Sequence, residues 1–129
     1  MESRARLLVV DDDPDVLRVL KLKLEETGRF DVVTARGGEE ALRHARQTKP
    51  ELIVSDIDMP DMDGGELAAT LRDTPGTARI PLVFLSALVA PGETRQSATT
   101  GAPMLSKRGS LETLIRTIDR MLAAPPPAR

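Results

Sequence analysis

Acids, a hydroxyl and a lysine stand at the ends of apolar runs in this chain, in an order that could handle phosphoryl groups. The stretch LLVVDDDPDVL, residues 7 to 17, follows four apolar residues with Asp11, Asp12 and Asp13 and adds Asp15. Like charges this close repel, and some must take up protons unless a cation or solvent holds them. A further acid, Asp56, follows LIVS; Ser86 closes VFLS; Lys107 follows MLS. Carboxylates grouped at one edge suit Mg²⁺, which takes a few oxygen ligands, keeps waters and completes its octahedron with a phosphate. A carboxylate can also act as a nucleophile and form an aspartyl phosphate, with Mg²⁺ and a lysine offsetting charge on the transferring oxygens. Asp56 is the best placed nucleophile.

These residues meet only if the fold brings the ends of the runs together. Apolar runs of strand length recur at 7 to 10, 31 to 35, 51 to 55 and 81 to 87, with a weaker one at 102 to 106. Rich in Val, Leu and Ile and without alternation, they read as strands buried on both faces. Helical patterns lie between them. Pro14 suits a first turn, Leu17, Leu20 and Leu24 share a face, and Gly28 is a plausible stop, which predicts a helix over 14 to 27. Others are predicted over 39 to 47 and 65 to 72. After a Ser110 cap, Leu111, Leu114, Ile115, Ile118 and Leu122 form a last stripe. The stretch 90 to 101, APGETRQSATTG, has a breaker pair and no apolar stripe, so a fourth helix there would be weak. Strands alternating with helices predict a five-stranded parallel sheet in an α/β sandwich. In such sheets ligands collect beyond the carboxyl ends of the strands, where strand order reverses.

Composition excludes several classes. The chain has 129 residues, enough for one domain with a sizeable core, and a formal net charge of -2, which offers no basic excess for nucleic acid. No cysteine and a single histidine exclude disulfides and a zinc cage. Neither a signal-type apolar region nor a membrane-spanning run is present, which fits a cytoplasmic setting. Residues 1 to 123 read as the domain and 124 to 129, APPPAR, as a Pro-rich tail or linker stub.

The motifs LLVVDDD, LIVSDIDMPDMDG, VFLSA and MLSK, in this order and spacing, resemble the receiver domain of bacterial response regulators, the chemotaxis-type domain of two-component signalling. The resemblance implies a flavodoxin-like doubly wound sandwich with about five helices and strand order 2-1-3-4-5, an order of which a chemotaxis receiver is a standard example. It implies Asp56 as phosphoacceptor, with Asp11, Asp12, Asp56 and the Asp58 carbonyl holding Mg²⁺, or Mn²⁺. Ser86 and Lys107 would hold the phosphoryl oxygens, and Ser86 and Met104 would mark the switch. A histidine kinase or phosphotransfer protein would be the donor, and a downstream protein or a C-terminal output domain the target, with no direct binding to nucleic acid or membrane.

Simpler roles suffice elsewhere. Asp13 fits an N-cap, Asp61 and Asp63 read as turn residues, and His44 as solvated surface without a role. The chain also departs from the family pattern. An aromatic residue commonly stands where Met104 is, and proline commonly follows the lysine across a cis peptide, whereas Arg108 follows here. A non-proline cis bond costs about 2.5 to 4 kcal/mol, so a trans Lys107–Arg108 peptide is expected. With the weak fourth helix, these departures all fall on the usual output face, which makes a binding module that switches without phosphate the alternative. The Asp-x-Asp at 56 to 58 also matches haloacid dehalogenase-like phosphatases, but that family carries it after the first strand and this chain after the third.

Overall fold

Backbone groups of apolar runs cannot stay unpaired away from water, and here they pair into one sheet. The computed structural model describes residues 4–124; beyond Ala124, the expected tail lies outside the described residues. The order is β1 (Ala5–Val10), α1 (Pro14–Glu26), β2 (Phe30–Ala35), α2 (Gly38–Thr48), β3 (Leu52–Asp56), α3 (Gly64–Asp73), β4 (Leu82–Ser86), β5 (Thr94–Gln96), β6 (Pro103–Ser106) and α4 (Leu111–Ala123). The sheet runs β2-β1-β3-β4-β6-β5. All pairs are parallel except β5 with β6.

Helices cover both faces. On one, Leu17 and Leu24 of α1 and Leu114 and Ile118 of α4 pack on Leu7, Val9, Val54 and Leu85. On the other, Ala41 and Ala45 of α2 and Leu67 and Leu71 of α3 pack on Leu8, Val10 and Ile53. The doubly wound fold is as expected, and three helix starts follow their capping chemistry. Asp13 accepts from the Asp15 amide, Asp63 forms a capping box with Glu66, and Ser110 accepts from the Thr113 amide.

Three expectations need correction. The sheet has six strands rather than five, and four helices are present among the described residues rather than five. The stretch expected to form a weak fourth helix instead turns at Gly92 (φ +85), forms the exposed strand β5 and returns through Gly101 (φ +74). With no apolar stripe to bury, a helix there has no packing energy to offset its ordering, whereas the β6 edge offers backbone hydrogen bonds. His44 is also half-buried rather than solvated, with Nε2 3.6 Å from Glu40.

The sheet edges differ. At β2, the outward carbonyl of Val32 accepts from Lys21 Nζ at 2.6 Å and its amide donates to Glu25 at 3.0 Å, so α1 side chains block further strand pairing. At β5, Ser97 donates to the Ala102 carbonyl at 2.8 Å. Alternation along an antiparallel pair then turns Arg95 toward Met104 and leaves the backbone of Thr94 and Gln96 facing outward.

Close packing fixes the loop after β3. A Cβ at Gly64 would stand 2.7 Å from the Phe84 ring and 3.1 Å from the Ile57 Cα. Gly64→Ala is therefore expected to cost about 1–3 kcal/mol, as overpacking does. Urea unfolding with an unchanged midpoint would contradict this.

Candidate functional site

Strand order reverses between β1 and β3, and there the carboxyl ends open a crevice. Asp11 follows β1 and is buried, its amide donating to the Ala35 carbonyl at 3.1 Å and its Oδ1 accepting from the Asp13 amide at 2.9 Å. Asp12 is exposed beside it. Asp56 is the last residue of β3 and is buried. One carboxylate oxygen from each of Asp11, Asp12 and Asp56 lies within 4.8 Å of the others. Lys107, just past β6, sets Nζ 2.9 Å from Asp11 Oδ2 and 3.2 Å from Asp56 Oδ2.

Electrostatics follow from this crowding. Burial, and then the Asp11 charge, push the Asp56 carboxyl above its ordinary range, against the hydrogen bond from Lys107 that lowers it. Burial alone would lower the Lys107 pKa, but hydrogen bonds to Asp11 and Asp56 outweigh it and raise the pKa, so the ammonium stays charged at neutral pH.

Other predicted residues take separate places. The Asp58 amide donates to Asp56 Oδ1 at 3.3 Å, while its side chain is exposed and outside the acid cluster. Ser86 is buried at the end of β4; its Oγ accepts from the Leu88 amide at 3.1 Å, and its carbonyl accepts from the Lys107 amide at 3.0 Å. That second bond ties the strand end carrying the hydroxyl to the lysine. Met104 lies between Phe84 and Arg95 in the sheet register, half-buried and away from the acids. No cis peptide occurs among the described residues, so Lys107–Arg108 is trans as expected.

Two contributors were missed or underread. Buried Ser55 donates from Oγ to the Asp56 carbonyl at 2.8 Å. Asp61, read as a turn residue, reaches across to α2: Oδ1 accepts from the Gly38 amide and Oδ2 from the Glu39 amide, each at 3.0 Å. Those bonds, Glu39 first, hold its carboxyl below the ordinary carboxylate range. The N-cap of α2 is Gly37, which has no side chain to cap with. A helix start without its own cap was the signal that an acceptor comes from elsewhere. A broad surface groove lined by Pro50, Leu71, Pro81, Pro103 and Met121 holds none of these residues.

A doubly wound sheet with acids and a lysine gathered at its switch point defines a CheY-like α/β domain. Residues 7–119 match the response regulator receiver domain, and the chain belongs to that family, the receivers of two-component signalling. It is 38% identical over 121 residues to a gliding motility regulatory protein of Myxococcus xanthus, covering 92% of this chain and 15% of that protein. It is 38% identical over 123 residues to an uncharacterized 14.6 kDa protein of Leptolyngbya boryana, covering 94% of this chain and 92% of that one. Among solved structures, the Vibrio cholerae chemotaxis response regulator CheY4 is 28% identical with a TM-score of 0.78, over 92% of this chain and 98% of that one. Receivers are signalling domains, so the Asp-x-Asp at 56 to 58 stands in a receiver rather than in a phosphatase of the dehalogenase type. No helix among the described residues is long and apolar enough to cross a membrane.

Proposed function

We propose that this receiver accepts a phosphoryl group on Asp56 from a histidine kinase or phosphotransfer protein and thereby switches a protein-binding surface. The observation that carries the reading is the meeting of Asp11, Asp12 and Asp56 within 4.8 Å, with Lys107 reaching both Asp11 and Asp56. Three carboxylates with hard oxygen donors suit Mg²⁺ or Mn²⁺, and Asp11, Asp12, Asp56 and the Asp58 carbonyl would hold it. When bound, the ion offsets the charge of these acids and of the phosphoryl oxygens.

A carboxylate oxygen of Asp56 attacks phosphorus; the bond to the donor imidazole breaks, and the imidazole leaves with that electron pair and takes up a proton. The acyl phosphate so formed carries more negative charge than the carboxylate it replaces. Lys107 is already charged beside it. The Ser86 hydroxyl, which accepts from Leu88, keeps its proton for a phosphoryl oxygen. Movement of these two groups biases the β4 and β6 ends and the surface at Met104, which a downstream protein or an output domain reads.

Intact mass after incubation with acetyl phosphate tests this. A phosphoryl adduct is expected on the wild type with Mg²⁺, and none after chelation or in Asp56→Asn. An adduct on Asp56→Asn equal to the wild type would sink the assignment. The replacement of the fourth helix by β5, beside a non-aromatic Met104, favours a second reading, a module that binds its partner without phosphate. That module would bind equally well after Asp56→Ala, whereas the phosphorylation switch would lose its response to acetyl phosphate.

A further inference from the structure

The loop from Ile57 to Asp63 is irregular backbone, yet it directly follows Asp56 and carries Asp58. Its base is closed by the Gly64 amide donating to the Ile57 carbonyl at 2.8 Å. Its middle is anchored by Met59, which is buried. At its tip, the Asp61 carboxylate accepts from Gly38 and Glu39 at the start of α2, and its Oδ1 also accepts from the Met62 amide at 3.0 Å.

The α2 side is shaped to receive this tip. A Cβ at Gly37 would stand 2.9 Å from Asp61 Oδ1, and one at Gly38 would stand 2.0 Å from Met62 Cγ. Two successive glycines thus leave room for one acid and one thioether from a different part of the chain. The contact joins segments 22 or more residues apart in sequence.

We infer that Asp61 is a positioning residue for the divalent-cation site: by latching the loop tip to α2, it fixes the stretch that carries Asp58 and steadies Asp56. The inference rests on the reading of Asp11, Asp12, Asp56 and Asp58 as that site. Its physical basis is preorganisation. A loop free to move must lose that freedom when its oxygens close on a cation, and the latch removes this freedom beforehand. Partners that orient ligands without touching the ion typically change affinity by 10- to 100-fold.

The test is calorimetric titration of the full chain with MgCl₂ alone, with amide exchange at Gly38 and Glu39 read in parallel. Asp61→Ala should raise the Mg²⁺ dissociation constant about tenfold and expose both amides. Asp61→Asn should fall between, since one side-chain oxygen still accepts while the amino group faces a donor. Gly38→Ala approaches the latch from its other side, leaves the carboxylate intact, and should weaken Mg²⁺ similarly. Adding Met62→Ala to Gly38→Ala makes room again and should recover affinity. All variants are titrated well below their unfolding midpoints, so a general loss of stability would not produce this ordering.

Faster exchange at Gly38 and Glu39 with unchanged Mg²⁺ affinity would overturn the inference and leave the proposed function standing. A wild type that takes up no Mg²⁺ would overturn both.

Discussion

Lys107→Met is expected to slow adduct formation from acetyl phosphate about 100-fold or more, the effect of removing one preorganised donor from a reacting oxyanion. The same substitution should destabilise the metal-free chain. Lys107 neutralises Asp11 and Asp56, whose side chains are 2% and 6% exposed, while about a quarter of its own surface, 24%, remains in water. Breaking a buried pair from one side costs roughly 3–5 kcal/mol, and the exposed part of the lysine puts this case at the lower end. Methionine keeps most of the apolar stem, so the loss reports charge rather than packing. Mg²⁺ should restore more stability to Lys107→Met than to the wild type, because its acids then lack any other cation. Thermal unfolding with EDTA and with MgCl₂, beside the mass assay, measures these effects. Wild-type labelling in Lys107→Met would remove the lysine from the mechanism.

Asp56→Asn, besides abolishing the adduct, should make the metal-free chain more stable at neutral pH. Burial and the neighbouring Asp11 raise the Asp56 pKa above its ordinary value of 3.8. A carboxyl with a raised folded pKa contributes stability below its unfolded value, and that contribution is lost as pH rises through the folded pKa. At pH 7 the wild type therefore holds a charge that folding disfavours, and asparagine does not. The gain should appear at pH 7 as a higher unfolding midpoint than that of the wild type. It should shrink as pH falls and vanish below about pH 4, where aspartic acid is itself neutral. A stabilisation independent of pH would point to packing instead. The acidic cluster thus opposes folding stability to the readiness of the site for a cation and a phosphoryl group.

Loss of the fourth helix bears on how such a switch could be read. The surface beside Met104 is built by two short strands and their turns, with Arg95 opposite Met104 and β5 wholly exposed. A three-residue strand held on one side to β6 has few contacts to resist displacement. Any partner that reads phosphorylation at this face meets backbone and polar side chains rather than a helix surface.

Much of this was legible from residue order alone. Unalternating apolar runs specified strands buried on both faces, and the stripes of Leu17 and Leu24 or Leu114 and Ile118 specified the helices that bury them. Asp13 and Ser110 announced helix starts, since each cap acts within a few residues, whereas Asp63, read as a turn residue, proved to cap α3 as well. The candidate site was legible because its members end successive strands, and a parallel sheet brings those ends to one edge. Tertiary structure alone decided the rest. The stretch 90 to 101 carries little local preference, so the free β6 edge determined that it became a strand. His44 owes its partial burial to surroundings that periodicity does not describe. Asp61 has the sequence of a turn residue, and only the fold sets it against Gly38 and Glu39. Local chemistry acts over one turn of chain and can be read in order; contacts between segments far apart depend on the packing that places them.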